Sequence, residues 1–291
     1  MTNRVNEMTP EEALDEICEN AKAVRERVPL VHNITNYVTV NDVANAELAI
    51  GGSALMADDI DEVADMVGIA SATNINIGTL NARTIKSMIE AGKQGNATGT
   101  PVIFDAVGAG ASGLRNETTH DFLEAVAPTV IRGNLSEMSF VAGLSASTKG
   151  VDSSEADAGN DAVAVAKKVA ETHGCVCAVT GAIDIITDGE SVVKIANGSA
   201  LMGKITGTGC MCDGLIGCFV GALEDFSDKN AVLVATAGAI LSMSLAGELT
   251  AKRLEEETGH VGTGSLHIGI IDCLSLLDAP AYRDNARIEV A

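Results

Sequence analysis

Ile205-Thr206-Gly207-Thr208-Gly209-Cys210 is the stretch of this sequence best built for chemistry. Two glycines two residues apart let the backbone bend sharply and let a ligand approach closely. A helix that starts there aims unpaired N–H groups and the positive end of its dipole into the same space. Such a turn holds anions, phosphate above all. Cys210 follows at once and has three readings. It is an ordinary small core residue, or a helix-start thiol of lowered pKa that serves as base or nucleophile, or a group that polarises a substrate hydroxyl beside the phosphate. A covalent hydrolase would want a histidine partner, and His32, His120, His173, His260 and His267 are scattered without a local signature. A base or polarising role is therefore expected over a covalent one.

Further polar residues stand where short apolar runs end. Asp105 ends the run 101–105, Arg132-Gly133-Asn134 ends 129–132 with Glu137 one turn on, and Thr180 ends 175–180. Met56 ends 53–56 and Gly78 ends 74–78. Ligands of open parallel sheets bind at the carboxyl ends of strands. Two acids beside phosphates need a cation, and Mg²⁺ suits them because it takes few carboxylates together with waters and phosphate oxygens. Arg132 can fork onto a phosphate. The set fits transfer of a phosphoryl group from a nucleotide to a small acceptor, with Gly78 a candidate on the acceptor side and Gly209 on the nucleotide side. Each residue has a plainer reading. Asp105 alone is as often a helix cap, Met56 is ordinary core packing, and Glu137 three residues after Asn134 has the spacing of a capping box, its commoner use. Their joint occurrence favours chemistry.

Gly108-Ala109-Gly110-Ala111-Ser112-Gly113 offers a competing pattern, G-x-G-x-x-G after a strand and before a helix. It would hold the pyrophosphate of a dinucleotide. Asp105 just before it leaves a charge that nothing neutralises, and Arg132 stands where an acid should grip the ribose. An NADP-dependent oxidoreductase remains open on this reading, as does a non-catalytic nucleotide-binding protein.

The elements that must position these residues alternate. Helices are expected from Thr9 to about Arg27, 41–50, Asp59 to about Ser71, Asn81 to about Ala97, 115–127, from Asn134, and from Asp152–Glu155 to near His173. Three more finish the chain at about 209–224, 229–256 and 263–277. Strands are expected at 29–36, 53–56, 74–78, 101–105, 129–132 and 175–180, with a hairpin 183–187/191–195 turning at Asp188-Gly189. Short apolar runs between helices predict an α/β fold with a largely parallel central sheet flanked by helices. No linker divides residues 1–291, so a single domain is expected, with a core of about 14–277 and a polar, peripheral tail after Asp278.

Composition narrows the function. Of 291 residues 46% are hydrophobic and 2% aromatic, so the core is aliphatic and base-stacking platforms for nucleic acid are scarce. A net charge of −21 repels nucleic acid and anionic membranes. Seven cysteines without a secretory leader point to a reducing cytoplasm. Ala231 to Leu249 is the nearest approach to a membrane span, but its small and hydroxylated residues suit a buried helix better.

Val31-His32-Asn33-Ile34-Thr35-Asn36, Asn76-Ile77-Gly78-Thr79-Leu80, 101–111 (Pro101 to Ala111), Arg132-Gly133-Asn134-Leu135-Ser136-Glu137 and Thr206-Gly207-Thr208-Gly209-Cys210 resemble the motifs of hydroxyethylthiazole kinases, in that family's order. The resemblance implies a ribokinase-like fold and transfer of the ATP γ-phosphate to the alcohol of 4-methyl-5-(2-hydroxyethyl)thiazole, in thiamine salvage. It implies that Met56 and Gly207 contact the thiazole, that Arg132 and Thr180 contact ATP, and that Asp105 and Glu137 lie near Mg²⁺. Cys210 stands where ribokinase relatives keep a catalytic Asp. The resemblance also implies a homotrimer with sites between subunits, in which the loop 32–36 completes a neighbour's pocket. Ala106 replaces the family's usual Pro, Gly52-Ser53-Ala54-Leu55 replaces its usual lead into the Met, Ala182 replaces a frequent Glu, and Thr208 replaces the usual Ala. None of these changes removes an expected catalytic group.

Overall fold

The structure, a computed structural model, describes residues 4–144 and 162–291. The expected helix start at Asp152–Glu155 lies outside them. Thr9 opens α1 (Pro10–Arg27) with a full capping box: its side chain accepts from Glu12 N, and the Glu12 carboxylate accepts from Thr9 N. The chain then runs β1 (Leu30–Ile34), α2 (Val40–Ile50), β2 (Ser53–Met56), α3 (Val63–Ile69), β3 (Ala72–Asn76), α4 (Ala82–Thr98), β4 (Val102–Asp105), α5 (Gly113–Ala125), β5 (Val130–Asn134) and α6 (Leu135–Val141). After the undescribed segment come α7 (Ala162–His173), β6 (Val176–Thr180), β7 (Asp184–Thr187), β8 (Val192–Ile195), α8 (Thr208–Gly221), α9 (Lys229–Thr258), α10 (Thr263–Leu276), α11 (Ala279–Asn285) and β9 (Ile288–Val290).

Among the described residues the strands form one nine-stranded sheet in the order β2-β1-β3-β4-β5-β6-β7-β8-β9. The pairs from β2 to β6 are parallel and those from β6 to β9 antiparallel. The two-residue period of a strand divides each one between two cores. Ile103, Val130, Val176 and Ala178 face a core built from α1, α2, α8, α9, α10 and α11. Phe104, Ile131, Cys177 and Val179 face the opposite core, under α3 to α7. This is the three-layer α/β architecture expected.

Several boundaries shift by about two residues, α5 and β1 among them, and three differences from expectation matter more. Asp59 caps a turn, its carboxylate accepting from Asp61 N, and α3 begins only at Val63. Strand β3 lies two residues earlier than 74–78, which places Gly78 in the loop beyond it. The tail after Asp278 is not peripheral. Asp278 caps α11 by accepting from Ala281 N, Tyr282 is 1% exposed with its hydroxyl 2.7 Å from Ser242 Oγ, and β9 pairs with β8 to extend the sheet.

The hairpin turning at Asp188-Gly189 is present, with Gly189 at φ 103° as such a turn requires. Helix α9 is the one helix among the described residues long and apolar enough to cross a membrane, yet 89% of its apolar window is buried inside the protein. The core accounts for its composition.

Candidate active site

The same period-2 rule builds the site. On β1, β3, β4, β5 and β6 the residues on the α8 side, read toward each carboxyl end, include Asn33, Asn74, Asn76, Asp105, Arg132 and Thr180. Asp105 pairs in register with both Asn76 and Arg132, so the three form one row across the sheet. Gly207 ends the preceding loop in the left-handed region, φ 92°, and turns the chain into α8. A Cβ there would stand 2.7 Å from Thr39 Cγ2. One at Gly209 would stand 2.7 Å from Arg132 Nη1. Each glycine therefore lets a neighbour lie against the turn.

Asn76 Nδ2 lies 2.8 Å from Asp105 Oδ2, 3.0 Å from Asp213 Oδ2 and 3.5 Å from Cys210 Sγ. Asn36 Nδ2 donates to the same sulfur at 3.0 Å. Arg132 Nη1 reaches Asp105 Oδ2 at 3.3 Å and Asp213 Oδ1 at 3.8 Å, while Nη2 donates to Thr180 Oγ1 at 2.8 Å. Both aspartates are fully buried. Burial and the neighbouring Asp105 push the Asp213 carboxyl far above the usual carboxylate range. Burial opposes the charge of Arg132, but Asp213 and Asp105 more than offset it and raise its pKa. Burial, followed by Asp213 and Asp105, pushes the Cys210 thiol up to about 11. The thiol is thus protonated at neutral pH, and the helix start does not lower its pKa.

The structure gathers Asp105, Arg132, Thr180, Gly207, Gly209 and Cys210 at one place. Gly78 adjoins them: its N–H donates to Asn76 Oδ1 at 2.9 Å, and a Cβ on it would meet Asn36 Nδ2 at 2.8 Å. Met56 ends the edge strand β2, half-buried and in register with Asn33, two strands from Asn76. Glu137 serves the plainer use. Its Oε2 accepts from Asn134 N at 2.7 Å, Asn134 Oδ1 accepts from Glu137 N, and Oε1 accepts from Gly108 N at 2.7 Å. Burial and Asp105 still raise its carboxyl to about 7. Asp213, Asn36 and Asn76 complete the cluster without having been expected in these roles. Three residues from Cys210 on a helix beginning at Thr208, Asp213 shares its face; the apolar run around it masked that spacing.

The glycine-rich loop 108–113 is no dinucleotide cradle. Gly108 N donates to Glu137, Ala109 N to Ala106 O, Gly110 N to Asn116 Oδ1 and Ala111 N to Gly108 O. Four of its six N–H groups are thus engaged within the protein. Arg115 clamps the loop further, donating to Val107 O, Ile77 O and Gly78 O at 2.6, 2.6 and 2.7 Å.

The arrangement fits Mg²⁺ on the strength of Asp105 Oδ1, which is buried and accepts no hydrogen bond from the protein. Glu137 has both oxygens bound to backbone N–H groups, which leaves it a supporting position.

Residues 21–279 match the family model described as "Hydroxyethylthiazole kinase family". The hydroxyethylthiazole kinase of Ruminiclostridium cellulolyticum is 55% identical over 266 residues, 91% of this chain and 94% of that one. The solved structure of a hydroxyethylthiazole kinase from Pyrococcus horikoshii superposes with a TM-score of 0.82 at 35% identity, covering 95% of this chain and 99% of that one. A ribokinase-like superfamily protein from Enterococcus faecalis shares the fold, with a TM-score of 0.62 at 14% identity over 92% of this chain and 95% of that one.

Proposed function

The chain belongs to the hydroxyethylthiazole kinase family and is a kinase, and on that premise we propose how it works: it moves the γ-phosphate of ATP onto the alcohol of 4-methyl-5-(2-hydroxyethyl)thiazole, a thiamine-salvage step. One observation carries the reading. The Cys210 thiol, a buried Asp–Arg pair and a helix N-terminus converge at the carboxyl ends of β3, β4 and β5.

Phosphoryl transfer through a loose transition state asks for positioning and charge neutralisation more than for a strong base. Cys210, protonated, orients the acceptor hydroxyl, and Asn36 and Asn76 fix its sulfur. The first turn of α8, freed by Gly207 and Gly209, offers N–H groups to the transferring phosphoryl oxygens. Arg132 supplies the fixed positive charge beside them, and Thr180 sets its plane. Mg²⁺, held through Asp105 with Glu137 behind it, would neutralise phosphate charge. Met56 and Gly78 shape the apolar end where the thiazole lies.

We further propose a homotrimer whose subunits complete one another's sites. Tyr37 and Val38 are 78% and 56% exposed directly after Asn36, and Leu48 and Ile268 are exposed on α2 and α10, which pack together. Tyr37 and Val38 follow Asn36 directly, and apolar side chains left this exposed favour a covered state. The seven cysteines are all free in the structure, which supports a reducing cytoplasm.

The deciding measurement is ATP- and Mg²⁺-dependent phosphorylation of hydroxyethylthiazole by the pure protein, read by coupled ADP release. No turnover with this alcohol, against turnover with another, would replace the substrate; no turnover with any alcohol would end the reading.

A further inference from the structure

We infer that Asp105, Cys210 and Asp213 together form a binding site for a thiophilic divalent cation, Cd²⁺ or Zn²⁺, distinct in ligand set from the Mg²⁺ that accompanies ATP. Each residue offers one ligand atom, and these atoms lie within 4.8 Å of one another. Both carboxylates are 0% exposed, and Oδ1 of each accepts no hydrogen bond from the protein. Their Oδ2 atoms are held by Asn76, which fixes the carboxylate orientation. Cys210 is only half-buried, and its side is where an ion would enter.

Charge and chemistry agree on the kind of ion. Two carboxylates, a thiolate, the Arg132 guanidinium and a divalent cation add to no net charge, the condition a buried site favours. A thiolate selects soft and borderline ions over Mg²⁺ and Ca²⁺. On binding, the S–H bond of Cys210 breaks, its electron pair forms the metal–sulfur bond, and the thiol proton passes to water together with any proton held by the Asp213 carboxyl; nothing is oxidised or reduced. The Asn36 and Asn76 amides already aimed at the sulfur then support a thiolate. The consequence rests on the kinase reading: the ion takes the sulfur proposed to orient the acceptor hydroxyl and the Asp105 oxygen proposed for Mg²⁺, so it inhibits in competition with both the alcohol and Mg²⁺. The binding itself does not rest on that reading.

The test is a CdCl₂ titration of the full chain without nucleotide, followed by the ultraviolet charge-transfer band of a cadmium thiolate. Wild type is expected to show one equivalent that Cys210→Ser lacks, and Asp213→Asn is expected to bind at least roughly tenfold more weakly. Thermal denaturation with and without CdCl₂ checks that both near-isosteric variants fold, and only wild type should gain strongly from the ion. A band that survives Cys210→Ser, no band at excess CdCl₂, or Asp213→Asn binding as tightly as wild type would overturn the site. A protein that turns over hydroxyethylthiazole but shows no band refutes only this inference; one with the band and no turnover refutes only the kinase reading.

Discussion

Arg132 and Asp105 are register partners on adjacent parallel strands, and their side chains meet at 3.3 Å with Asp213 Oδ1 0.5 Å farther from the same nitrogen, at 3.8 Å. One guanidinium thus answers two buried carboxylates. Removing it leaves the negative charge of the Asp105–Asp213 pair without a cation, so Arg132→Ala should cost about 3–5 kcal/mol of stability. Chemical denaturation measures this. Adding Asp213→Asn should recover part of the loss, and strictly additive losses would show that the two side chains are not coupled.

Cys210→Ala removes the group proposed to orient the acceptor. With Asn36 and Asn76 still in place, kcat should fall on the order of a hundredfold while the melting temperature moves little. A large change in acceptor KM at unchanged kcat would instead assign Cys210 to uniform binding.

Gly209→Ala places a methyl 2.7 Å from Arg132 Nη1. The guanidinium is held by Asp105 and Thr180 and is not free to swing away. The expected outcome is a rise in the KM for ATP with the acceptor KM preserved, checked by steady-state kinetics in both substrates.

Chelation with EDTA should abolish turnover, and added Mg²⁺ should restore it. Glu137→Gln keeps one amide oxygen for Gly108 or Asn134 but not both, so it should cost about 1 kcal/mol through the weakened cap. If Glu137 also supports the metal, that variant should need more Mg²⁺ for half-maximal rate. An unchanged Mg²⁺ requirement would leave Glu137 as a cap alone.

Asp184 gives a pH signature. Burial raises its carboxyl to about 6, against hydrogen bonds from Gly181 N and Ser244 Oγ that favour the charged form. The folded state therefore holds a proton that the unfolded chain has already lost between about pH 4 and pH 6. Its contribution to stability is full below that window and declines as pH rises through it, by up to about 3 kcal/mol. Wild type should lose that much relative to Asp184→Asn across the window, as read from denaturant midpoints at several pH values.

The fold was legible because its signals are local. Thr9, Asn81 and Asn134 cap helices where their side chains say they should, and the apolar runs between helices are the strands. Asp105, Arg132 and Thr180 were readable because strand ends in a parallel sheet share one edge. Asp213 was hidden because its importance depends on the helix phase set at Thr208, inside a run otherwise apolar. Asn36 and Asn76 carry no charge and so gave no electrostatic signal, although they fix the sulfur. Glu137 shows the reverse case: a charged residue in a suggestive place whose hydrogen bonds are those of a cap. The segment Ile288–Val290 is too short to announce a strand, and only its pairing with β8 makes it one.

The near absence of aromatic residues has an optical consequence. The chain has no tryptophan and only two tyrosines. Tyr282 is sealed in the core against Ser242, whereas Tyr37 stands in the open beside the loop that carries Asn36. With no indole to drain their excited states, the two phenols emit on their own account from unlike surroundings. Tyr282→Phe leaves a protein whose whole tyrosine emission comes from Tyr37 beside the site loop, a probe of ligand entry and subunit contact that needs no attached dye.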